Sequence, residues 1–172
     1  MLTVTRTFRA VFIAAALLAP AACVYQPLYG TNSYAPDSAS YALSQISVAE
    51  IDNWAGQQVR NHLIFLLQGG RQAPDPIYQL RLRVSDTKRF NATSRIVSDT
   101  TAGAVTVTVS YELIRIDGYT RVASGSRQAS ANFDRTGQSF ANERAVRDAE
   151  QRAAREVAEQ LRLALAADLT HP

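Results

Sequence analysis

The sequence has little of what catalysis and disulfide pairing require. Its 172 residues include one cysteine, Cys23, and two histidines, His62 and His171. A lone cysteine cannot form an internal disulfide, so it is modified, intermolecular or free. No residue pair has the spacing of a zinc or nucleophile motif, and no glycine-rich loop that would cradle phosphate is present. We therefore expect a protein that is not an enzyme and that holds no metal or other cofactor.

Lysine is almost absent as well, because Lys88 is the only lysine among 18 basic residues. Arginine supplies the rest, and its planar guanidinium suits phosphate and carboxylate groups. The net charge of +3 includes Arg6 and Arg9 near the N-terminus, so the remainder of the chain is close to neutral. Overall charge therefore indicates no class of partner, and only its local distribution is informative.

Residues 1–22 have the three parts of a secretory signal peptide. Arg6 and Arg9 precede an apolar run over residues 10–19, which is too short to span a bilayer permanently, and small residues follow. Cys23 comes next, in a pattern that resembles the lipobox, where the thiol is acylated and the leader removed. Pro20 stands where that pattern usually has an aliphatic residue. We predict a signal peptide over 1–22 and a lipid on Cys23; the alternative is an ordinary cleaved signal with an incidental cysteine.

The segment after the cysteine is predicted to be a tether. Residues 24–40 contain Pro, Ser, Asn and Tyr and show neither strand nor helix periodicity. A coil of this length averages roughly 20 to 25 Å from end to end. We expect residues 23–40 to hold a single domain, residues 41–170, away from a membrane surface.

The first part of that domain combines a strand pattern with a helix pattern. Residues 41–48 suit a first strand with imperfect alternation. A helix is predicted from near Trp54, capped by Asp52 or Asn53, to the stop signal Gly69-Gly70. Its core-facing stripe consists of Ala55, Val59, Leu63, Leu66 and Leu67.

Three further strands are indicated by alternation of apolar and polar residues. Residues 78–85 place leucine and valine on one side and arginine on the other, as in a sheet covered on one face. Residues 105–113 alternate in the same way and lead to Asp117-Gly118, a signal for a two-residue type I′ hairpin turn. The return strand, 119 to about 133, is rich in small residues, which indicates close packing against it. The predicted cross-strand pairs are Ile116 with Tyr119, Leu113 with Val122 and Val109 with Ser126.

A long helix is predicted from Ser139 or Phe140 to Leu169, with a length of roughly 44 Å. Its alanine-rich first half permits close approach to a sheet, and its polar face carries charge pairs such as Asp148 with Arg152. The order strand, helix, three strands, helix predicts an α+β fold: a four-stranded, mostly antiparallel sheet with two helices packed on one face.

A basic cluster is the one charge feature that suggests a binding site. It lies on the second predicted strand and the loop after it, with Asp86 the only acid between Tyr78 and Val97. Such cations could receive an anionic ligand through charge-assisted hydrogen bonds, or could form a solvated basic face. Nucleic acid is not expected as a partner, because the leader directs the chain out of the cytoplasm. The cluster consists of Arg81, Arg83, Lys88, Arg89 and Arg95.

Two segments carry a family resemblance: the start of the processed chain, Cys23-Val24-Tyr25-Gln26-Pro27-Leu28-Tyr29-Gly30, and part of the first predicted helix, Val59-Arg60-Asn61-His62-Leu63. Together with the order of elements, they resemble the LptE family of lipopolysaccharide-assembly lipoproteins. The resemblance covers essentially the whole chain. It implies a lipid-anchored protein on the periplasmic side of the outer membrane. It also implies a β-barrel translocon as partner, which the protein plugs and helps assemble while lipopolysaccharide passes to the outer leaflet. The basic cluster would then meet lipid A phosphates.

A second hypothesis is an auxiliary lipoprotein of an ABC-type lipid or solute transport system. Such a periplasmic binding module would share the anchor, the tether and the α+β domain, but would dock on membrane complexes without entering a barrel. Stoichiometric copurification of an outer-membrane barrel protein would separate the two hypotheses. A cell-wall hydrolase is disfavoured because catalytic residues are lacking.

Overall fold

A computed structural model describes residues 39–70, 73, 75–90, 101–136 and 138–170. These residues belong to one compact unit. The predicted signal peptide, Cys23 and the tether up to residue 38 lie outside the described residues. The elements are α1 (Ala39–Ser44), β1 (Ile46–Val48), α2 (Trp54–Gln68), β2 (Tyr78–Phe90), β3 (Thr101–Arg115), β4 (Thr120–Arg135) and α3 (Ser139–Thr170).

The strands form one four-stranded sheet in the order β1-β2-β3-β4. β1 is parallel to β2, with Ile46 beside Tyr78, and the other two pairs of strands are antiparallel. The predicted α+β class and the mostly antiparallel sheet are therefore confirmed.

The first predicted strand is wrong over most of its length. Only Ile46–Val48 forms β1, and the preceding residues form the short helix α1. The Ser44 hydroxyl donates to the Tyr41 carbonyl at 2.7 Å, and the Gln45 amide donates to the Ala42 carbonyl at 3.2 Å. These local bonds replace a strand ladder, and Leu43 is buried from within the helix.

Helix α2 begins and ends where the sequence predicts. Asn53, not Asp52, is the N-cap, since its side-chain oxygen accepts from the Gly56 amide at 2.7 Å. At the other end Gly69 adopts a left-handed φ of 65°, and its amide donates to the Phe65 carbonyl at 2.9 Å.

The turn between β3 and β4 differs from the predicted type I′ turn. The turn covers residues 116–119, and Tyr119 has a positive φ of 49° whereas Gly118 does not. A two-residue type I′ turn needs positive φ at both Asp117 and Gly118, so that prediction is wrong. Ile116 and Tyr119 lie within the turn, and the ladder begins at Arg115 and Thr120.

A β-bulge then shifts the register of β4 by one residue. It lies between Leu113 and Ile114, so that Leu113 faces Ala123 and Val109 faces Arg127. The predicted partners of these two residues, Val122 and Ser126, are each one position away. Because a slip of one residue exchanges the faces of a strand, the bulge decides which β4 side chains meet the helices.

The core lies between the sheet and the two long helices, α2 and α3. Ala129 and Ala131 on β4 are buried where α3 packs closely, as their small size predicts. Among the described residues, no helix is both long and apolar enough to cross a membrane. Side chains with no exposed surface line both layers: Val59, Leu63, Leu80, Val105, Val107, Val109, Leu113, Val157, Leu161 and Leu165.

Candidate ligand-binding surfaces

The alternation of β2 divides the predicted basic cluster between the two faces of the sheet. Leu80, which faces the helices, alternates with exposed arginines, so these arginines lie on the open face. Lys88 has the same parity as Leu80 and lies on the helix side. Arg95 lies outside the described residues. We call the three residues of the open face the arginine row: Arg81, Arg83 and Arg89.

The arginine row borders mostly uncharged positions. Its cross-strand partners on β3 are Glu112, Ser110 and Ala104. Glu112, the one acidic partner, is also 3.6 Å from the Arg121 guanidinium. A shallow groove of about 690 Å³ runs over Arg81, Arg83 and Ser110, and Glu50 and Glu112 line it as well. The open face therefore presents three exposed guanidinium groups along β2 that can donate to an anion, with Glu50 and Glu112 beside the first two.

Lys88 has a different environment from the arginines. Its ammonium lies 3.5 Å from an Asp86 carboxylate oxygen and 3.7 Å from Glu150 on α3. Glu150 is only 6% exposed. Burial raises the pKa of Glu150, while the Lys88 charge opposes that shift. Lys88 thus neutralises a buried carboxylate, and the structure does not bring it together with the arginine row.

Exposed aromatic rings gather at the end of the domain where β2 finishes and α2 and α3 begin. The Arg135 guanidinium lies 5.0 Å from the Phe90 ring centroid, and that of Arg144 lies 6.0 Å from the Phe140 centroid. Both are cation–π distances. We call this region the aromatic end and define it by Trp54, Phe90, Phe140, Arg135, Arg144 and Arg147.

Three grooves of about 750, 670 and 430 Å³ open at the aromatic end, and Arg147 lines each of them. Acids accompany its cations, among them Glu143, Asp148 and Glu150. The aromatic end therefore offers apolar surface with balanced charge. Sequence reasoning missed this region, although Phe90 has the parity of Leu80 and ends the strand that carries the basic cluster.

The described residues offer binding surfaces more readily than reactive groups. Within the described ranges, no three His, Asp or Glu side chains are close enough together to hold a metal ion. His62 lies at the junction of the two long helices, with its Nε2 3.9 Å from a Glu159 carboxylate oxygen. This position fits the role of a helix-edge structural histidine.

The described elements define the protein as a two-layer α+β domain with a cationic open sheet face. A comparison with protein families identifies it further, because the LptE family, lipopolysaccharide-assembly, matches residues 43–165. The chain belongs to this family of non-enzymatic outer-membrane lipoproteins, and its role lies in lipopolysaccharide assembly.

Solved structures share the fold. A Caulobacter crescentus lipoprotein is 24% identical with a TM-score of 0.65, and the match covers 78% of this chain and 97% of that one. Rare lipoprotein B from Shewanella oneidensis is 12% identical with a TM-score of 0.53, covering 73% and 94%. A minor lipoprotein from Acinetobacter baumannii is 11% identical with a TM-score of 0.51, covering 72% and 90%. A comparison with curated protein sequences gives no significant match.

Proposed function

We propose that this chain is anchored to the outer membrane, on its periplasmic side, by a lipid on Cys23, and that it plugs and helps assemble a β-barrel lipopolysaccharide translocon. The family match over residues 43–165 carries this proposal, since it includes all four strands, all of α2 and most of α3. The mechanism is binding, with no bond made or broken. The sheet and helices fill the barrel lumen, and the anchor sets their orientation.

The proposal assigns the phosphates of lipopolysaccharide to the arginine row. Alternate residues of a strand are about 7 Å apart on one face, so Arg81 and Arg83 present neighbouring guanidinium groups to a single ligand. A guanidinium donates two parallel hydrogen bonds to a phosphate. Lys88 is not part of this site, because it is on the helix side and paired with Asp86 and Glu150. Arg95 remains a candidate on sequence grounds alone.

The arginine row is tested by the triple substitution Arg81→Gln, Arg83→Gln and Arg89→Gln. We expect weaker binding of purified lipopolysaccharide with little change in stability, because exposed side chains seldom contribute more than about 0.5 kcal/mol each. The remaining binding should also depend less on salt, since exposed charges are screened over about 8 Å at physiological ionic strength. Binding curves at several salt concentrations and urea unfolding measure these effects.

A matched triple on α3 removes the same charge from the other side of the domain: Arg144→Gln, Arg147→Gln and Arg155→Gln. If net charge alone attracts the ligand, both triples will weaken binding equally, and the assignment to the arginine row is wrong. If the α3 triple has the larger effect, the phosphates bind along α3 and not at the arginine row.

The role in the translocon is tested separately. Purification of the lipidated chain from outer membranes should bring down a β-barrel protein in equimolar amount, and the arginine-row triple should leave that complex intact. Recovery of an inner-membrane transport complex in place of a barrel would contradict the proposed role.

A further inference from the structure

The open face of the sheet carries two adjacent cross-strand rows of side chains that have hydroxyl or amide groups and no charge. On β3 these residues alternate with valines that are fully buried against the helices, so the two rows face away from the helices. We call their six residues the neutral polar surface: Ser85, Thr108 and Gln128 in one row, and Thr87, Thr106 and Ser130 in the next.

The neutral polar surface adjoins the arginine row. Arg83 and Arg89 stand at the β2 ends of the two rows that flank it, and the β3 partners in those rows are Ser110 and Ala104. Strands lie about 4.8 Å apart and alternate residues about 7 Å apart, so the surface with its flanking arginines covers roughly 20 Å along β2 and 10 Å across it. A ligand whose charged groups bind at β2 therefore meets uncharged hydrogen-bonding groups over β3 and β4.

The hydroxyl groups of this surface are arranged for hydrogen bonding. The hydroxyl oxygens of Thr106 and Ser130 lie 2.8 Å apart, so one donates to the other across the two strands. The pair keeps one free donor and several lone pairs for a ligand. A surface that serves only solubility usually intersperses charges of both signs. Here the charges are confined to the neighbouring rows, which favours a binding surface for an uncharged polar group.

The groove over Arg81 and Arg83 also combines donors with acceptors. Glu50 and Glu112 line it beside the two guanidinium groups. Carboxylates repel a phosphate, but they accept hydrogen bonds from hydroxyl groups. A ligand that carries many hydroxyl groups uses both kinds of side chain, because each of its hydroxyls donates and accepts. The residues of the groove therefore suit a phosphorylated sugar better than a phosphate alone.

We propose that the neutral polar surface, together with this groove, binds the saccharide part of lipopolysaccharide while the phosphates bind the arginine row. This inference rests on the proposed function and extends its ligand site from β2 across β3 and β4. Hydrogen bonds between uncharged groups depend little on salt, whereas the attraction of exposed charges is screened. The two contacts can therefore be measured separately.

The test uses fully deacylated lipopolysaccharide, which keeps the sugars and phosphates and has no acyl chains. Titration calorimetry measures its binding to the processed full-length chain in detergent, at low and at high salt. The neutral-surface triple, Ser85→Ala, Thr108→Val and Gln128→Ala, removes one row. Because each net hydrogen bond contributes a factor of roughly 2 to 12 in affinity, we expect binding to weaken by about tenfold or more. The factor should be the same at both salt concentrations.

A matched control removes three uncharged polar side chains from the helices: Gln57→Ala, Asn61→Ala and Gln160→Ala. This variant should bind the probe as tightly as the unsubstituted protein does. Urea unfolding shows whether both triples are folded. If the neutral-surface triple does not fold, Ser110→Ala with Ser126→Ala, in the row that begins at Arg83, takes its place.

The outcomes separate this inference from the phosphate site. If the neutral-surface triple binds the probe as tightly as the unsubstituted protein, and the arginine-row triple does not, the saccharide contact is overturned and the phosphate site stands. If neither triple changes binding, both assignments are wrong. Binding of intact lipopolysaccharide without binding of the probe would show that acyl chains supply the affinity, which also overturns the saccharide contact. Equal binding of maltohexaose, a neutral glucan, would overturn the assignment to lipopolysaccharide.

Discussion

Tyr111 connects the middle of the sheet to the last turns of α3. Its hydroxyl donates to an Asp168 carboxylate oxygen at 2.9 Å, and its ring lies across Gly125, where an added Cβ would be 2.9 Å from ring atoms. Burial raises the pKa of Tyr111 above 10.0, and the Asp168 carboxylate adds to the shift. The hydroxyl therefore stays protonated and able to donate.

Replacing Tyr111 with Phe should remove that hydrogen bond and leave the ring in place. We expect the free energy of unfolding to fall by about 1.5 kcal/mol, the lower value for a bond to a charged group. Urea unfolding at neutral pH measures it. Because the folded pKa is raised, the contribution is complete below pH 10.0 and is lost as pH rises through the folded value. Tyr119→Phe is the control, and an equal loss there would contradict the role of Asp168.

Glu150 predicts a pH dependence of stability in the acid range. Its folded pKa is raised above 4.5 by burial, so the folded state binds the proton more tightly than the unfolded state. The contribution of Glu150 to stability is thus greatest below pH 4.5 and is lost as pH rises through the folded value. The glutamine of the Glu150→Gln variant cannot titrate. The free energy of unfolding of this variant, relative to that of the unsubstituted protein, should therefore increase as pH rises through the folded pKa of Glu150. Unfolding at a series of pH values tests this, and a constant difference in stability between the two proteins over the whole range would contradict it.

At the scale of elements, Gly103 on β3 makes room for the ring of Phe133, its cross-strand partner on β4. A Cβ at Gly103 would be 2.3 Å from Phe133 Cζ. The Phe133 ring is buried and packs edge-on against Phe90, with centroids 5.9 Å apart. The glycine thus allows the Phe133 ring to lie over β3 and to pack against Phe90.

Gly103→Ala should therefore displace the Phe133 ring and lower the free energy of unfolding by about 1 to 3 kcal/mol, as overpacking does. Thermal and urea unfolding measure the loss. Gly118→Ala is the matched control, because its Cβ would meet only the Thr120 hydroxyl at 3.1 Å. Adding Phe133→Leu to the Gly103 variant should restore part of the stability. Equal effects of the two alanines would show that the loss comes from the glycine backbone and not from the ring.

The elements with a clear period could be predicted from sequence. α2, α3 and the long strands each bury one face, and burial produces that period. Tertiary packing determined the features that the sequence did not predict. Helix α1 forms where it packs against α2 and α3, and the weak strand pattern of its residues does not reveal that packing. The bulge beside Leu113 changes pairing without altering the alternation on either side of it. The alternation of side chains along β2 is enough to place Lys88 on the face opposite the arginine row. The aromatic end joins residues from four elements, so it could be recognised only once the fold was known.

At the scale of the whole molecule, the sheet separates different surfaces. Helices cover one face, and the arginine row occupies the other. The aromatic end and the turn between β3 and β4 lie at opposite ends of the strands. In the proposed function, lipopolysaccharide bound to the arginine row lies along β2, between these two ends.

This division of surfaces requires the domain to behave as one rigid body, which Leu161→Ala tests. Leu161 is fully buried in α3, which packs against α1, α2, β3 and β4. We expect a loss of about 2 to 5 kcal/mol, a large share of the roughly 5 to 15 kcal/mol that stabilises a domain.

Trp54 emission reports the start of α2, and far-ultraviolet circular dichroism reports all elements. Both midpoints should fall together if unfolding is cooperative. Leu163→Ala, at an exposed position two residues away, should change little. Separate transitions would show that α3 detaches on its own, and that the two ends of the domain are not held in a fixed relation.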